Sequence, residues 1–220
     1  MYQIMGRDVK GNRRYDSSGR QAQAQRNRAA ILDVARSHFL ANGYAATTIT
    51  AIAQQAGVSV ETIYKAFGGK AGLVRAIYEQ GLQGAGAVHA YERSDAMRER
   101  ETDPRTIMRN WGHLTAEVAA EVTPIRLLIR SAAASDPDIA ALLRDNEADR
   151  LKRMRHHARF LADRGYLRAG ITVSHAADVL WTCSSAELYE LLVLQRRWPH
   201  PRFADFISDI MIGSLLAEPD

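Results

Sequence analysis

With 220 residues, 46% of them hydrophobic and 25% charged, the chain has the composition of an ordinary globular protein and enough length to bury a sizeable core. No apolar run is long enough to span a bilayer, and residues 1–28 lack the apolar core of a signal peptide, so a cytoplasmic protein is expected. The net charge of +4 is uneven: residues 1–75 hold 11 Lys or Arg against 4 Asp or Glu, and the remainder holds 18 against 21. A basic N-terminal third on a slightly acidic body is the electrostatic footprint of a nucleic-acid-binding module, although basic tails also occur on proteins that never touch DNA.

Residues 1–25 show little apolar periodicity and carry three glycines with Arg7, Lys10, Arg13, Arg14 and Arg20. They read as a flexible basic tail, either lying along DNA phosphates or simply solvated. A first helix is expected over 26–42, with Ile31, Leu32, Ala35 and Phe39 on one face and Gly43 as its stop. After Tyr44, Thr47 and Thr48 lead into a second helix, with Thr48 as its N-cap and Ile49, Ile52, Ala53 and Ala56 as its apolar face. Gly57 suits a left-handed helix stop, Val58 tucks into the turn, and Ser59 can cap a third helix that buries Ile63, Ala66 and Phe67. Helix, glycine turn and helix make the sequence form of a helix-turn-helix. Its outer side would present Val60, Glu61, Thr62, Tyr64 and Lys65 to base edges and phosphates. An ordinary helical hairpin inside a bundle is the plainer alternative.

The run from Arg28 to Leu73 resembles the DNA-binding domain of the tetracycline-repressor (TetR) family. The resemblance rests on Ile31, Ala35, Phe39, Gly43, Tyr44, Thr48, Ile52, Ala53, Ala56, Gly57, Val58, Ser59, Ile63, Tyr64, Phe67, Lys70 and Leu73, in register and without gaps. It implies an all-α regulator whose N-terminal end of the second helix, at Thr47 and Thr48, lies at a phosphate. It also implies that Tyr64 bonds a phosphate and that Lys70 sits near the DNA backbone. Base reading would fall to Val60, Thr62 and Lys65, with Glu61 a candidate acceptor from a cytosine amine, beside the capping Ser59. The sequence departs from the family pattern at Gly69 and Gly72, where many relatives carry a capping polar residue and an acid. A softer start to the fourth helix, at Lys70, is expected.

Beyond the fourth helix, residues 88–103 are charge-rich and read as a loop or a frayed helix end. Pro104 can open a helix carrying Ile107, Met108, Trp111 and Leu114, and Pro124 another with Ile125, Leu128 and Ile129. Asp136-Pro137-Asp138 marks a turn before a long helix over 139–164. That helix holds Lys152, Arg153, Arg155, His156, His157 and Arg159, read as a solvated face paired with Asp145, Glu147 and Asp149 rather than as an anion site. His156 and His157 are adjacent and make a poor metal pair. A helix over 174–197 is stopped by Pro199 and Pro201, and a last one carries Phe203, Phe206, Ile207, Ile210, Met211 and Leu215. Their wide apolar arc suggests a partner subunit, and residues 176–193 look like the helices by which many TetR-family members dimerise. Leu188, Leu191, Leu192, Phe203, Ile207, Ile210 and Met211 are therefore the expected dimer face, with monomer core as the alternative. Cys183, the single cysteine, excludes an internal disulfide, and at its apolar position a buried thiol is the plainer reading beside a reactive one.

These elements sum to an all-α chain: a tail (1–25), a three-helix helix-turn-helix domain (26–73) and a larger helical ligand-binding and dimerisation domain (74–220). What the resemblance implies is a homodimeric regulator, a repressor, that binds a near-palindromic operator and is released by a largely apolar small molecule. Met108, Trp111, Leu114, Phe160 and Trp181 are the candidate ligand contacts, with core filling the plainer reading for each. No cofactor or metal is expected, and no catalytic constellation is visible. A ligand-independent activator or architectural DNA-binding protein, and a helical enzyme, remain as alternatives.

Overall fold

The computed structural model describes residues 17–84, 86 and 88–218; residues 1–16 of the expected tail lie outside them. Among the described residues ten α-helices follow one another: α1 (Ser17–Ala46), α2 (Ile49–Ala56), α3 (Val60–Phe67), α4 (Lys70–Gly81), α5 (Ala90–Arg100), α6 (Pro104–Ala132), α7 (Pro137–Asp163), α8 (Val173–Cys183), α9 (Ala186–Tyr189) and α10 (His200–Leu215). No strand occurs among the described residues, where one isolated bridge pairs Leu167 with Leu216. The expected all-α architecture, a helix-turn-helix domain and a helical body, is what forms.

Several boundaries differ from the expected ones. Helix α1 begins at Ser17, not Arg26, because Gln, Ala and Arg are good helix formers even without an apolar face. Gly43, at φ 76° and ψ 170°, leaves the helical region and turns the last residues of α1 aside. Residues 90–100 form a full helix, capped by the His89 ring accepting from the Tyr91 amide. Pro124 does not open a helix; it lies inside the 29-residue α6. A proline costs a helix interior about 3 kcal/mol. Burial of Val122, Thr123, Ile125, Leu128 and Ile129 around it offsets that cost and carries the helix through. The expected helix over 174–197 is broken at Ser184, and Ser185 caps α9, which runs into a π-helical turn over Glu190–Gln195. Arg197, with φ 56°, closes that segment.

Two apolar clusters hold these helices. The first joins Ile31, Phe39, Ile52, Ile63, Leu73 and Ile77 to Ile125, Ile129, Ile139 and Leu142, so the small N-terminal bundle shares a core with α6 and α7. The second lies within the body and includes Ile107, Met108, Trp111, Leu161, Phe203, Ile207 and Met211. Helices α6 and α10 cross closely at Gly112, where an added Cβ would lie 2.1 Å from the Ser208 hydroxyl. Helix α4 touches α1, α3, α6 and α7 and so links the two halves.

Candidate DNA-binding surface and ligand cavity

The turn between α2 and α3 is built as the sequence suggests. The Thr48 hydroxyl accepts from the Ala51 amide at 3.1 Å and caps α2. Gly57 takes the left-handed conformation, φ 66° and ψ 32°, and Val58 donates back to the Ala53 carbonyl at 3.0 Å. The Ser59 hydroxyl accepts from the Thr62 amide at 3.1 Å and lies 2.9 Å from the Thr62 hydroxyl. Ile63 is fully buried beneath α3, while Glu61, Thr62, Tyr64 and Lys65 are exposed and Val60 is half-buried. Tyr64 leans its ring over Gly69, within 3.6 Å of where a Cβ would stand, and stays 53% exposed.

Two residues expected at the DNA point inward instead. Thr47 is 2% exposed, and its hydroxyl donates to the carbonyls of Gly43 at 2.8 Å and His38 at 3.1 Å. Lys70 spends two donors on the carbonyls of Tyr44 at 2.7 Å and Thr47 at 3.1 Å, with its ammonium 4.2 Å from the Tyr44 ring centre. The lysine secures the loop before α2 from the start of α4, where Gly69 supplies no side-chain cap. Sequence spacing could not show this, because the carbonyls it satisfies belong to a loop more than 20 residues away.

Other contacts behind this surface also escaped sequence reasoning. Arg28 donates to the Ala66 carbonyl at 3.2 Å and lies 4.4 Å over the Phe67 ring, tying α1 to the end of α3. The Tyr44 hydroxyl donates to Asp136 at 2.7 Å, joining the N-terminal bundle to the cap of α7. Burial and that bond push the Tyr44 phenol far above its ordinary value, and the same bond lowers the Asp136 carboxyl.

A cavity of about 110 Å³ opens between α4, α5, α6, α7, α8 and α10. Trp111 and Leu114 line it as expected, together with Tyr78, Leu82, Tyr91, Val118, Met154, Leu180 and Met211. Three other expected contacts do not. Met108 is fully buried in the body core. Phe160 packs edge-on against Trp111 and Tyr166, beneath Arg98 and Arg164. Trp181 stacks under the Arg150 guanidinium at 4.5 Å. The basic stretch of α7 is likewise only half solvated: Arg150, Arg153, Met154 and His157, on one helical face, turn to the cavity. Arg153 finds its carboxylate in Asp95 of α5, at 2.8 Å, rather than in the acids of its own helix.

Cys183 also lines the cavity, and burial pushes its thiol up to about 12. A thiol so shifted holds almost no thiolate at neutral pH. The native protein is expected to resist alkylation by iodoacetamide at pH 8, with full labelling in denaturant; rapid native labelling would show an open or activated thiol.

The expected dimer face also divides. Phe203 and Ile207 are fully buried and Met211 is 2% exposed, so these three are monomer core. They face α6 because the apolar arc of α10 is wide enough to serve the body first. What stays outside is Leu188, Leu192 and Ile210, half-buried, with Leu191 at 49% and Leu194 at 47% exposure. The π-helical turn displays the two most exposed leucines, beside a Trp198–Phe206 pair at 5.4 Å.

A two-part all-helical regulator with a helix-turn-helix is the class that this fold and surface define. Residues 31–77 match the family model described as bacterial regulatory proteins, tetR family. No curated protein matches the sequence. Solved structures share the fold. The SmeT–triclosan complex superposes with a TM-score of 0.69 at 22% identity, over 88% of this chain and 93% of that one. NalD, the secondary repressor of the MexAB-OprM multidrug efflux pump in Pseudomonas aeruginosa, gives 0.70 at 17% identity, over 90% and 100%. GusR of Salmonella enterica gives 0.64 at 17%, over 93% and 99%. No described helix is long and apolar enough to cross a membrane, and no described cluster of His, Cys, Asp and Glu could hold a metal.

Proposed function

We propose that the protein is a homodimeric repressor that binds a near-palindromic operator through α3 and leaves it when a small molecule occupies the cavity. The observation that carries this reading is the double role of α4. Its first turn meets the end of the recognition helix at the Gly68–Gly69 joint and at the close approach of Gly72 to the Phe67 carbonyl, while Lys70 secures the loop before α2, and its far end supplies Tyr78 and Leu82 to the cavity wall. A ligand that binds one position of α4 better than another shifts the population of α3 placements by that difference in affinity. SmeT, of the same fold, has been solved with triclosan, and NalD is a repressor, which supports the reading by analogy. The leucine-rich π-helical turn and the outer side of α10 are the proposed dimer face. Two recognition helices would then meet successive major grooves about 34 Å apart.

The test is selection of bound sites from a random DNA pool at fixed salt, which should recover one near-palindrome. In this reading Tyr64 and Lys65 meet the DNA, the tyrosine at a phosphate. Tyr64→Phe is therefore expected to weaken binding about equally on all sequences and to lower the slope of log affinity against log salt by about 1 or less. Lys65→Ala should change the preferred bases. A sequence-selective loss in Tyr64→Phe, read by fluorescence anisotropy, would remove the phosphate role.

A further inference from the structure

Among the described residues three arginines, Arg126, Arg150 and Arg153, line the cavity, and no aspartate or glutamate does. Their carboxylates stand behind the wall and are shared. Glu147 accepts from Arg126 on one oxygen and from Arg150 on the other, each at 2.5 Å. Asp95 is held by both Arg153 and Arg98, at 2.8 and 3.0 Å. Each acid therefore answers two guanidiniums. At the first of these ends the wall also presents Tyr78, the Ser184 hydroxyl and the fully buried Thr123, whose hydroxyl has no partner. The Nε atom of Arg150 is buried without a partner as well. His157, at the other end beside Trp111, adds no further positive charge, since burial and the neighbouring Arg153 and Arg98 disfavour its protonated form. The span between is apolar, with Leu114, Val118, Met154 and Leu180. Excess positive charge inside a poorly solvated cavity is costly alone and attracts an anion far more strongly than it would in water.

We propose that the cavity takes an amphipathic monoanion, its carboxylate or similar oxyanion at Arg126 and Arg150 and its aromatic or aliphatic body along the apolar span towards Trp111. The planar fork of a guanidinium suits a two-oxygen head group, and the unpartnered Thr123 hydroxyl gives it a further donor. This rests on reading the cavity as the effector site. It also says what the effector's head group does: it competes with Glu147 for two arginines. Those arginines also bond the carbonyls of Ser184 and Trp181 at the end of α8, so the contest involves α6, α7 and α8 at once.

The experiment titrates the full-length protein with two matched sets, 4-phenylbutyrate, 4-phenylbutanol and 4-phenylbutylamine, and octanoate, octanol and octylamine. Binding is followed by tryptophan fluorescence and calorimetry. The acids are expected to bind at least about tenfold more tightly than the alcohols, and the amines more weakly than either. Arg126→Gln should abolish the preference for acid and leave alcohol affinity in place, while Arg126→Lys should restore part of it. Arg159→Gln, on an exposed turn of α7, should leave the preference unchanged. Thermal melts of each variant separate loss of selectivity from loss of fold. Equal affinity of acid and alcohol in both sets, a preference unaltered in Arg126→Gln, or no binding by any of the six would overturn the proposal. Anisotropy of the selected DNA site in the same samples tests the regulatory reading separately. Selective acid binding with DNA still held would keep this inference and defeat release by ligand.

Discussion

The Ile207→Asp variant is expected to lose its cooperative melting transition, whereas Leu191→Asp should keep it and sediment as a monomer. Ile207 is fully buried, packed in the body core with Phe203 and Met211. The residues of that core are all hydrophobic and offer no cation to a carboxylate. A carboxylate there loses the isoleucine's burial and must either stay charged without a partner or take up a proton. The combined cost is on the order of 5 kcal/mol or more. Domains of this kind have only about 5–15 kcal/mol in total. Leu191 is 49% exposed on the π-helical turn, so its replacement changes little inside the monomer and opposes a hydrophobic contact across the proposed interface. Circular-dichroism melts and sedimentation velocity on both variants check the pair. A folded Ile207→Asp monomer would return that residue to the interface, and an intact Leu191→Asp dimer would move the interface elsewhere.

The contrast between those two residues shows how far periodicity reaches. Spacing of i, i+3, i+4 and i+7 identified α10 as a helix with an apolar arc, but an arc does not say which side meets the body and which meets a partner. The same holds on α7. The row Arg150, Arg153, His157 has the look of a charged outer face, and only the fold shows Glu147 and Asp95 behind it and a cavity in front. Local signals did better. Gly57 in its left-handed turn and the caps Thr48 and Ser59 are short-range features, set by residues within four positions, and each stands where the sequence places it. Pro124 misled for the opposite reason: a strong local stop was outweighed by burial on both sides of it. Lys70 and Thr47 were placed at DNA by resemblance, but their donors go to backbone carbonyls around the loop before α2. Tight folding of that loop is itself what places Thr48 and the α2 N-terminus at the surface.

Gly72→Ala is expected to destabilise the fold by roughly 2–4 kcal/mol and to reduce DNA affinity at least about tenfold. The reason is a close approach. A Cβ on Gly72 would stand 1.7 Å from the Phe67 carbonyl oxygen, inside any van der Waals contact, and the obstacle is backbone that no side-chain rotation can clear. Phe67 is the last residue of α3, so relief requires that the end of the recognition helix move away from the first turn of α4. The glycine thus makes the joint tight, where its composition suggested a softer one. Gly69, at φ 134° and ψ −161°, adds a backbone shape that other residues rarely adopt. The joint with α3 is the path by which the cavity end of α4 would reach the DNA, so opening it should also weaken any effect of a ligand on DNA binding. Ser59→Ala gives the comparison: it removes one cap from α3, worth about 1 kcal/mol, without moving the joint. Melting temperature and DNA anisotropy measured together distinguish them. Loss of DNA affinity in Gly72→Ala at temperatures where the protein is fully folded would place the defect in the joint. A melting temperature and affinity unchanged from the parent would show that the two helices have room to spare.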